Sequence, residues 1–405
     1  MSQTKIGFLS LTSIIVVNIV GSGVLILPSI LAHFGATSFI SYIISGIGML
    51  AIGLVYTQMK SIAKCEGVHG PILHVFGFRL AQLASILYLL SIISGNSAML
   101  ISFFSYAGFS KISLQQCGIF SSIIIVCLTC MSCLSIKLVQ MVEVMIAILK
   151  IIPLIGVPLL CIPYALKSDV ILTQAISFSS LKASLAHTLW AFLGLETAVV
   201  IEKKVRNPES TIPRSMIFSV ILITVIYIIG MWTALKLIPN LGSANAPYVD
   251  LLMFVLPSCI RMFAFPFVQT VTLLLILGSI YSWIFTTGVG ISESAKQKLL
   301  PKFLSEKNRF DAPVKALILS SIMSILFLLL TYRESMQDHF EFMVSILTFI
   351  TFVIYFFTTL AFCKTIWDKS KITVYNVVLG FAALCTTTIS MIVLLNNLLQ
   401  LYFKL

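Results

Sequence analysis

The chain has 405 residues, of which 59% are hydrophobic and only 10% are charged. Soluble domains carry charge on about a quarter of their residues, so this composition excludes a soluble globular protein and makes lipid the main solvent. The net charge of +12 falls in loops between apolar segments. We attribute it to membrane topology rather than to binding of a nucleic acid or another acidic partner.

Apolar segments follow one another along the whole chain. Because lipid cannot satisfy free backbone groups, they are expected to be helices, and about eleven are long enough to cross a bilayer. Most of the 26 lysine and arginine residues lie on the inner side if the N-terminus is inside. This predicts a multi-pass protein of the bacterial inner membrane with a cytoplasmic N-terminus. The predicted helices begin near Ile6, Ser38, Arg79, Gly118, Val142, Ala183, Arg214, Cys259, Ala316, Glu341 and Thr373.

Two of these helices contain interruptions. Gly21 and Gly23 flank Ser22 inside the first helix, and Gly194 follows Trp190 near the middle of the sixth. A broken helix frees amides that can hold a carboxylate and carbonyls that can hold an ammonium. The pattern is typical of transporters that bind their substrate between inverted repeats.

The position of the interruptions predicts the organisation of the chain. Each falls on the first helix of a consecutive set of five. We therefore predict a first inverted repeat over residues 1–165, a second over residues 180–363, and an additional C-terminal transmembrane helix over residues 372–405.

Three motifs in order resemble the amino acid–polyamine–organocation family: NIVGSGV at 18–24, WAFLGLE at 190–196 and RNPE at 206–209. The resemblance implies an all-α membrane protein with a five-plus-five, LeuT-like transporter core and broken helices 1 and 6. Within the family, the likeness is greatest to the antiporters of basic amino acids and polyamines, of the arginine/agmatine type.

The resemblance also implies a substrate site. The amides of Ser22 and Gly23 would hold the substrate carboxylate, and carbonyls after the sixth-helix break would hold its α-ammonium. Indole faces attract guanidinium and ammonium groups, which gives the tryptophans of such a site a role with basic substrates. The implied substrate-binding residues are Asn18, Gly21, Ser22, Gly23, Tyr88, Asn96, Met99, Trp190, Ala191, Leu193 and Trp283.

Five further residues are candidates for gating or coupling. Glu196 resembles a gating glutamate of the antiporters. His69 stands near a position where the antiporters have a tyrosine, and both a pH-sensing role and a solvated loop histidine stay open. Lys150 resembles the lysine whose amine replaces sodium in proton-coupled permeases, and Thr286 and Thr287 would receive that amine. The alternative is a lysine that reaches the membrane interface.

The leading interpretation is a secondary active transporter that exchanges a basic amino acid for its amine product, with a proton-coupled amino acid symporter of broader specificity as the alternative. A channel would need a filter motif, and a membrane enzyme would need a cluster of reactive side chains. The sequence shows neither pattern. We expect no cofactor and no metal, because the five histidines are scattered and no P-loop motif is present.

The oligomeric state is open between monomer and homodimer. In the antiporters, the last two helices usually provide the dimer contact. Only one helix fits after Lys371, so we expect the twelfth to be missing.

Overall fold

The computed structural model describes residues 7–21, 25–65, 68–108, 113–134, 136–170, 176–200, 205–244, 246–310, 312–330 and 336–403. Within these ranges the protein is helical and contains no strand. The helices are α1 (Phe8–Ile19), α2 (Leu27–Leu31), α3 (Thr37–Ala63), α4 (Gly70–Phe76), α5 (Phe78–Tyr106), α6 (Leu114–Leu134), α7 (Ile136–Leu166), α8 (Phe178–Trp190), α9 (Thr197–Val200), α10 (Pro208–Leu237), α11 (Pro247–Val255), α12 (Ser258–Lys296), α13 (Val314–Leu330), α14 (Met336–Asp368) and α15 (Val374–Phe403).

The predicted all-α membrane fold is confirmed. In the described ranges, seven helices are long and apolar enough to cross a membrane, and three shorter apolar stretches accompany them. Their outer faces carry large apolar side chains such as Ile47, which is 63% exposed, and Phe381, which is 69% exposed. Such faces suit contact with lipid, and the chain is a multi-pass membrane protein.

Most helices begin a few residues before the predicted apolar starts. The helix expected near Val142, for example, begins at Ile136. Polar residues outside the hydrocarbon layer still close helical hydrogen bonds, so a helix continues beyond its apolar part. Two short helices, α4 and α11, have no counterpart in the prediction, because they are too short to give a membrane-spanning signal.

Small hydroxylated residues hold helices together where they cross. The hydroxyls of Ser45 on α3 and Thr188 on α8 lie 2.8 Å apart, and those of Thr129 on α6 and Ser321 on α13 lie 2.7 Å apart. Small residues let helix backbones approach closely, and their hydroxyls bond where no water competes. These contacts fix α8 against α3 and α6 against α13.

The two interrupted spans lie among the longest helices. α5 packs against α12 and α14, and α1 packs against α7 and α10. α8 packs against α3, α14 and α15. Gly21 at the first break and Leu193 at the second share a cavity with residues of α5, α12 and α14.

Candidate substrate-binding site

The two helix breaks touch each other. α1 ends at Ile19 and α8 ends at Trp190, where the Leu193 N–H turns back to donate to the Trp190 carbonyl at 3.0 Å. Gly194 adopts a φ of +109°, and a Cβ atom there would lie 2.7 Å from the carbonyl oxygen of Asn18. Only glycine permits this conformation and this approach, so the second break is built directly onto the first.

The carboxyl ends of α1 and α8 contribute partial negative charge to this region. The last carbonyls of a helix lack intrahelical partners, and they favour a nearby cation. The Ala191 carbonyl accepts a hydrogen bond from the Tyr227 hydroxyl at 3.2 Å. Because a carbonyl oxygen has two lone pairs, it can still accept one more donor, such as a substrate ammonium.

A cavity lies at the junction of the breaks, and its empty space of about 650 Å³ includes volume that is open to solvent. The cavity is walled by the ends of α1 and α8 and by one face each of α5, α12 and α14. Its lining residues are Asn18, Ile19, Gly21, Tyr88, Ser91, Ile92, Gly95, Ala98, Met99, Trp190, Ala191, Leu193, Glu196, Trp283, Phe340, Leu347 and Thr351.

The structure brings most of the sequence-predicted residues to this cavity. Those that line it are Asn18, Gly21, Tyr88, Met99, Trp190, Ala191, Leu193, Glu196 and Trp283. Ser22 and Gly23, whose amides were predicted to hold a carboxylate, lie outside the described residues. Their assignment therefore stays a prediction.

Asn96 is not among the residues that line the cavity. Its side chain is buried, and its Nδ2 donates to the Ser324 hydroxyl on α13 at 3.4 Å. The face of α5 that lines the cavity passes through Gly95 and Met99, and each step along a helix rotates the side chain by about 100°. Asn96 is therefore turned toward α13, where it joins two helices.

Glu196 lies in the second break, at the cavity wall. Its Oε2 accepts hydrogen bonds from the Gly194 N–H at 3.0 Å and from the Tyr355 hydroxyl on α14 at 2.7 Å. The side chain is buried, with 6% of its surface exposed. An acidic residue at such depth needs compensating donors. Here it ties the break to α14.

Lys150 reaches the first break from α7. It is 7% exposed, and its Nζ donates to the Val20 carbonyl, just after α1 ends, at 3.3 Å. The predicted partners lie on α12. Thr286 is half-buried, and Thr287 is buried and donates its hydroxyl to the Trp283 carbonyl at 2.6 Å. The amine is thus joined to α1, but it is not among the residues that line the cavity.

His69 precedes α4 and packs against a cavity residue. Its ring meets the Tyr88 ring edge-on, with centroids 5.5 Å apart. Burial lowers the pKa of His69 from 6.5 to about 4, so the imidazole is neutral at physiological pH. The interpretation as a solvated loop histidine is wrong, because only 6% of the residue is exposed. A pH-sensing role stays a prediction.

Sequence reasoning missed the contribution of α14. Phe340 packs edge-on against the Trp190 ring, with centroids 5.5 Å apart, and Leu347 and Thr351 line the cavity beside it. Tyr355 follows one turn later and binds Glu196. The intervals of seven, four and four residues place all four on one helix face. A polar Thr–Tyr pair four residues apart in an apolar helix was the available signal.

Comparison with known proteins gives matches over nearly the whole chain. The amino acid permease family model matches residues 6–402. The putrescine transporter PotE of Escherichia coli (strain K12) is 27% identical over 363 residues, which cover 85% of this chain and 81% of that protein. PotE of Haemophilus influenzae is 26% identical over 358 residues, 85% and 80% of the two chains. The cadaverine/lysine antiporter of Escherichia coli (strain K12) is 26% identical over 386 residues, 88% and 83% of the two chains.

Proposed function

This chain belongs to the amino acid permease family, and from that premise we propose that it exchanges a basic amino acid for its amine product across the bacterial inner membrane. Like its family and relatives, it is a membrane transporter and not an enzyme. Relatives named as a putrescine transporter and a cadaverine/lysine antiporter support a cationic substrate. The exchange would be of the arginine/agmatine or lysine/polyamine type.

One observation carries the proposal: the cavity combines a carboxylate with aromatic faces and helix carboxyl ends. Among the described residues that line it, Glu196 is the only charged side chain. Tyr88, Trp190, Trp283 and Phe340 supply aromatic rings. Each of these features favours a cation, by direct charge, by the ring quadrupole or by the helix dipole. An anionic or purely apolar substrate would leave the buried carboxylate without a counter-charge.

In the proposed arrangement, the carbonyls after Trp190 and the Glu196 carboxylate bind ammonium groups. The Trp283 ring covers the aliphatic part of the substrate. The amides of Ser22 and Gly23 would hold the carboxylate of an amino acid and would be left to water when an amine is carried. Such a site accepts both an amino acid and its decarboxylated product, which is the requirement for their exchange.

The contact between Glu196 and Tyr355 gives a physical reason for exchange over net transport. The carboxylate accepts a hydrogen bond from the Tyr355 hydroxyl on α14 at 2.7 Å, and this contact holds the second break against α14. A substrate ammonium competes with Tyr355 for the same carboxylate. Because a ligand shifts a conformational equilibrium only through differential interaction with its states, the loaded carrier would change state more readily than the empty one.

Counterflow in proteoliposomes tests the proposal. Vesicles containing the purified protein are loaded with lysine, ornithine, arginine, leucine or buffer, and uptake of labelled putrescine, cadaverine or agmatine is measured. We expect a basic amino acid inside to stimulate uptake of its own amine at least tenfold, and leucine and buffer to give none. Stimulation by leucine equal to that by every basic amino acid would contradict the proposal.

A second candidate function is proton-coupled symport of amino acids, and the position of Lys150 favours it. Its amine binds the Val20 carbonyl at the first break, where a protonation change would alter the packing of α1 against α7. Symport predicts concentrative uptake into empty vesicles when the outside is made acidic. Exchange predicts no uptake under that condition, so the same vesicles separate the two functions.

A further inference from the structure

A set of lysines meets at one end of the helix bundle, where α3 and α14 end and α15 begins. The Lys369 ammonium donates to the Ile62 carbonyl in the last turn of α3 at 3.0 Å. Lys369 also acts on the Cys65 thiol. Burial raises the pKa of this thiol to about 11, although the nearby ammonium opposes part of the rise. These two contacts place Lys64, which directly follows α3, beside the end of α14 and the residues that lead to α15.

The last turn of α14 and the residues that follow it, 364–371, are called the basic turn. Its backbone is held by hydrogen bonds on both sides. Ser370 adopts a φ of +51°, and the Lys371 N–H donates to the Ile366 carbonyl at 2.9 Å, a geometry that closes helix ends. Asn376 of α15 donates its side-chain amide to the Lys371 carbonyl at 2.9 Å. The turn therefore presents its side chains from a fixed backbone.

The basic turn concentrates positive charge, and its described residues include more lysines than carboxylates. Lys364, Lys369 and Lys371 are exposed, as is Lys64 across from them. Asp368 is the only carboxylate among the described residues of 60–65 and 364–376.

A second basic loop, between α12 and α13, differs in this respect. There Lys296 pairs with Glu293, and Lys315 pairs with Glu306 at 2.6 Å. Acidic neighbours in that loop already satisfy part of the charge. Lys64, Lys364, Lys369 and Lys371 outnumber the two acidic residues nearest to them in sequence, Glu66 and Asp368, so this end of the bundle keeps a net positive charge that favours an external anion.

Large apolar side chains surround the same lysines. Trp367 is 73% exposed, Ile372 56%, Val374 83% and Tyr375 52%. Tryptophan and tyrosine at the ends of membrane helices lie at the level of the lipid headgroups. Lysines beside them would then stand within reach of lipid phosphates, and an anion bound here would be part of the membrane.

We propose that the basic turn, together with Lys64, binds the phosphate of an anionic phospholipid headgroup while Trp367 and Val374 contact the acyl chains of the same lipid. Several lysines next to a membrane helix attract anionic lipids, each with a modest contribution that salt screens. This inference does not depend on the identity of the transported substrate.

Quenching of tryptophan fluorescence by brominated lipids tests the proposal on the full chain. The protein is reconstituted into phosphatidylcholine vesicles that contain brominated phosphatidylglycerol or, in a parallel sample, brominated phosphatidylcholine. The signal of Trp367 is the difference between the wild type and Trp367→Phe. We expect brominated phosphatidylglycerol to quench Trp367 at least about fivefold more strongly than the same amount of brominated phosphatidylcholine. This preference should decrease in high salt.

Two double variants give a matched comparison. Lys364→Gln/Lys371→Gln leaves the Lys369 contact with Ile62 in place and should reduce the preference to below about twofold. Lys302→Gln/Lys315→Gln removes the same charge from the other basic loop and should retain it. Lys364→Arg/Lys371→Arg should also retain it, because charge is kept.

Three results would overturn the inference. Equal quenching by the two brominated lipids in the wild type would show that the basic turn does not select an anionic headgroup. An equal loss of the phosphatidylglycerol preference in both Gln double variants would show that it depends on the overall charge of the protein and not on the basic turn. Full reversal by millimolar inorganic phosphate would assign the lysines to a soluble phosphate compound instead of a lipid.

Discussion

The two helix breaks each hold one buried ionisable side chain, and they use it differently. Glu196 at the second break lines the cavity and is held by Gly194 and Tyr355. Lys150 at the first break binds the Val20 carbonyl and is absent from the cavity lining. A carboxylate in the cavity can act on the substrate directly. The amine behind the first break is joined to α1 through the Val20 carbonyl and can act through the packing of that helix.

This difference separates recognition from coupling. Buried ionisable residues in membrane proteins are costly and therefore call for a functional explanation. If Glu196 recognises the cation and Lys150 sets the response to protons, variants at the two sites should change different measured quantities. The following experiments are ordered from the largest expected effect to the smallest.

Gly194→Val should abolish transport, because the two breaks can no longer touch. A Cβ would lie 2.7 Å from the Asn18 carbonyl, and valine disfavours the φ of +109°. We expect a loss of at least about 100-fold in initial uptake. Gly156→Ala on α7 is the control, since its added Cβ would meet nothing within 4 Å. Near-normal uptake by Gly194→Val would show that the contact between the breaks is dispensable.

Glu196→Gln should reduce binding of cationic substrates by about 10- to 100-fold, since a charged hydrogen bond is replaced by a neutral one. The amide can still accept from Gly194, so the fold of the break should persist. Binding is measured by titration of intrinsic fluorescence with amines and amino acids. Glu293→Gln, at an exposed ion pair, serves as the control. Unchanged affinity in Glu196→Gln would remove this residue from recognition.

Lys150→Ala should remove the response of uptake to an imposed pH gradient and should leave exchange intact. If symport contributes, uptake driven by the gradient should fall by about tenfold. Uptake is measured against pH in sodium and in choline buffer, for the wild type and the variant. A sodium requirement in the wild type would contradict the idea that the amine replaces this ion. If the pH profiles of variant and wild type coincide, Lys150 has only a structural role.

Trp283→Leu should weaken binding of basic substrates by about 3- to 30-fold, and Trp283→Phe should weaken it less, because an aromatic face retains part of the cation–π attraction. Trp367→Leu is the matched control, since this residue is 73% exposed and outside the cavity. The same fluorescence titration serves for all three variants. Identical losses in the Leu and Phe variants at position 283 would mean that the ring only fills space.

Replacing His69 by phenylalanine should change transport at neutral pH by less than about twofold, but it should change how stability depends on acid. The pKa of His69 explains why the effect is confined to low pH. The folded pKa of about 4 lies below the unfolded value of 6.5, so the neutral ring stabilises the fold fully above pH 6.5. This contribution decreases as the pH falls toward 4, by at most about 3 kcal/mol. Thermal unfolding in detergent at pH 7.5 and 4.5 measures it.

His69→Phe should lose less thermal stability between these two pH values than the wild type does. The exposed His74 provides a control, and His74→Phe should behave like the wild type. An equal acid-induced decrease in all three proteins would show that other groups dominate the pH dependence.

The sequence by itself determined the environment, the helical class and the two interruptions. Hydrophobic length is a local property, so the prediction of about eleven spans follows from it directly, and the described residues contain seven long apolar helices and three shorter ones. Gly194 marks its break because a left-handed backbone conformation favours glycine. Met99 and Trp283 were identified through the family resemblance, and both line the cavity.

Tertiary structure alone decided which faces meet. Asn96 was predicted at the substrate, yet it binds Ser324, because a rotation of about 100° per residue separates it from the face of Gly95. The contact of Glu196 with Tyr355 joins residues 159 positions apart. Every membrane helix is apolar on several faces, so hydropathy does not encode its rotation or its depth relative to its neighbours. Those two quantities are set only when the helices pack.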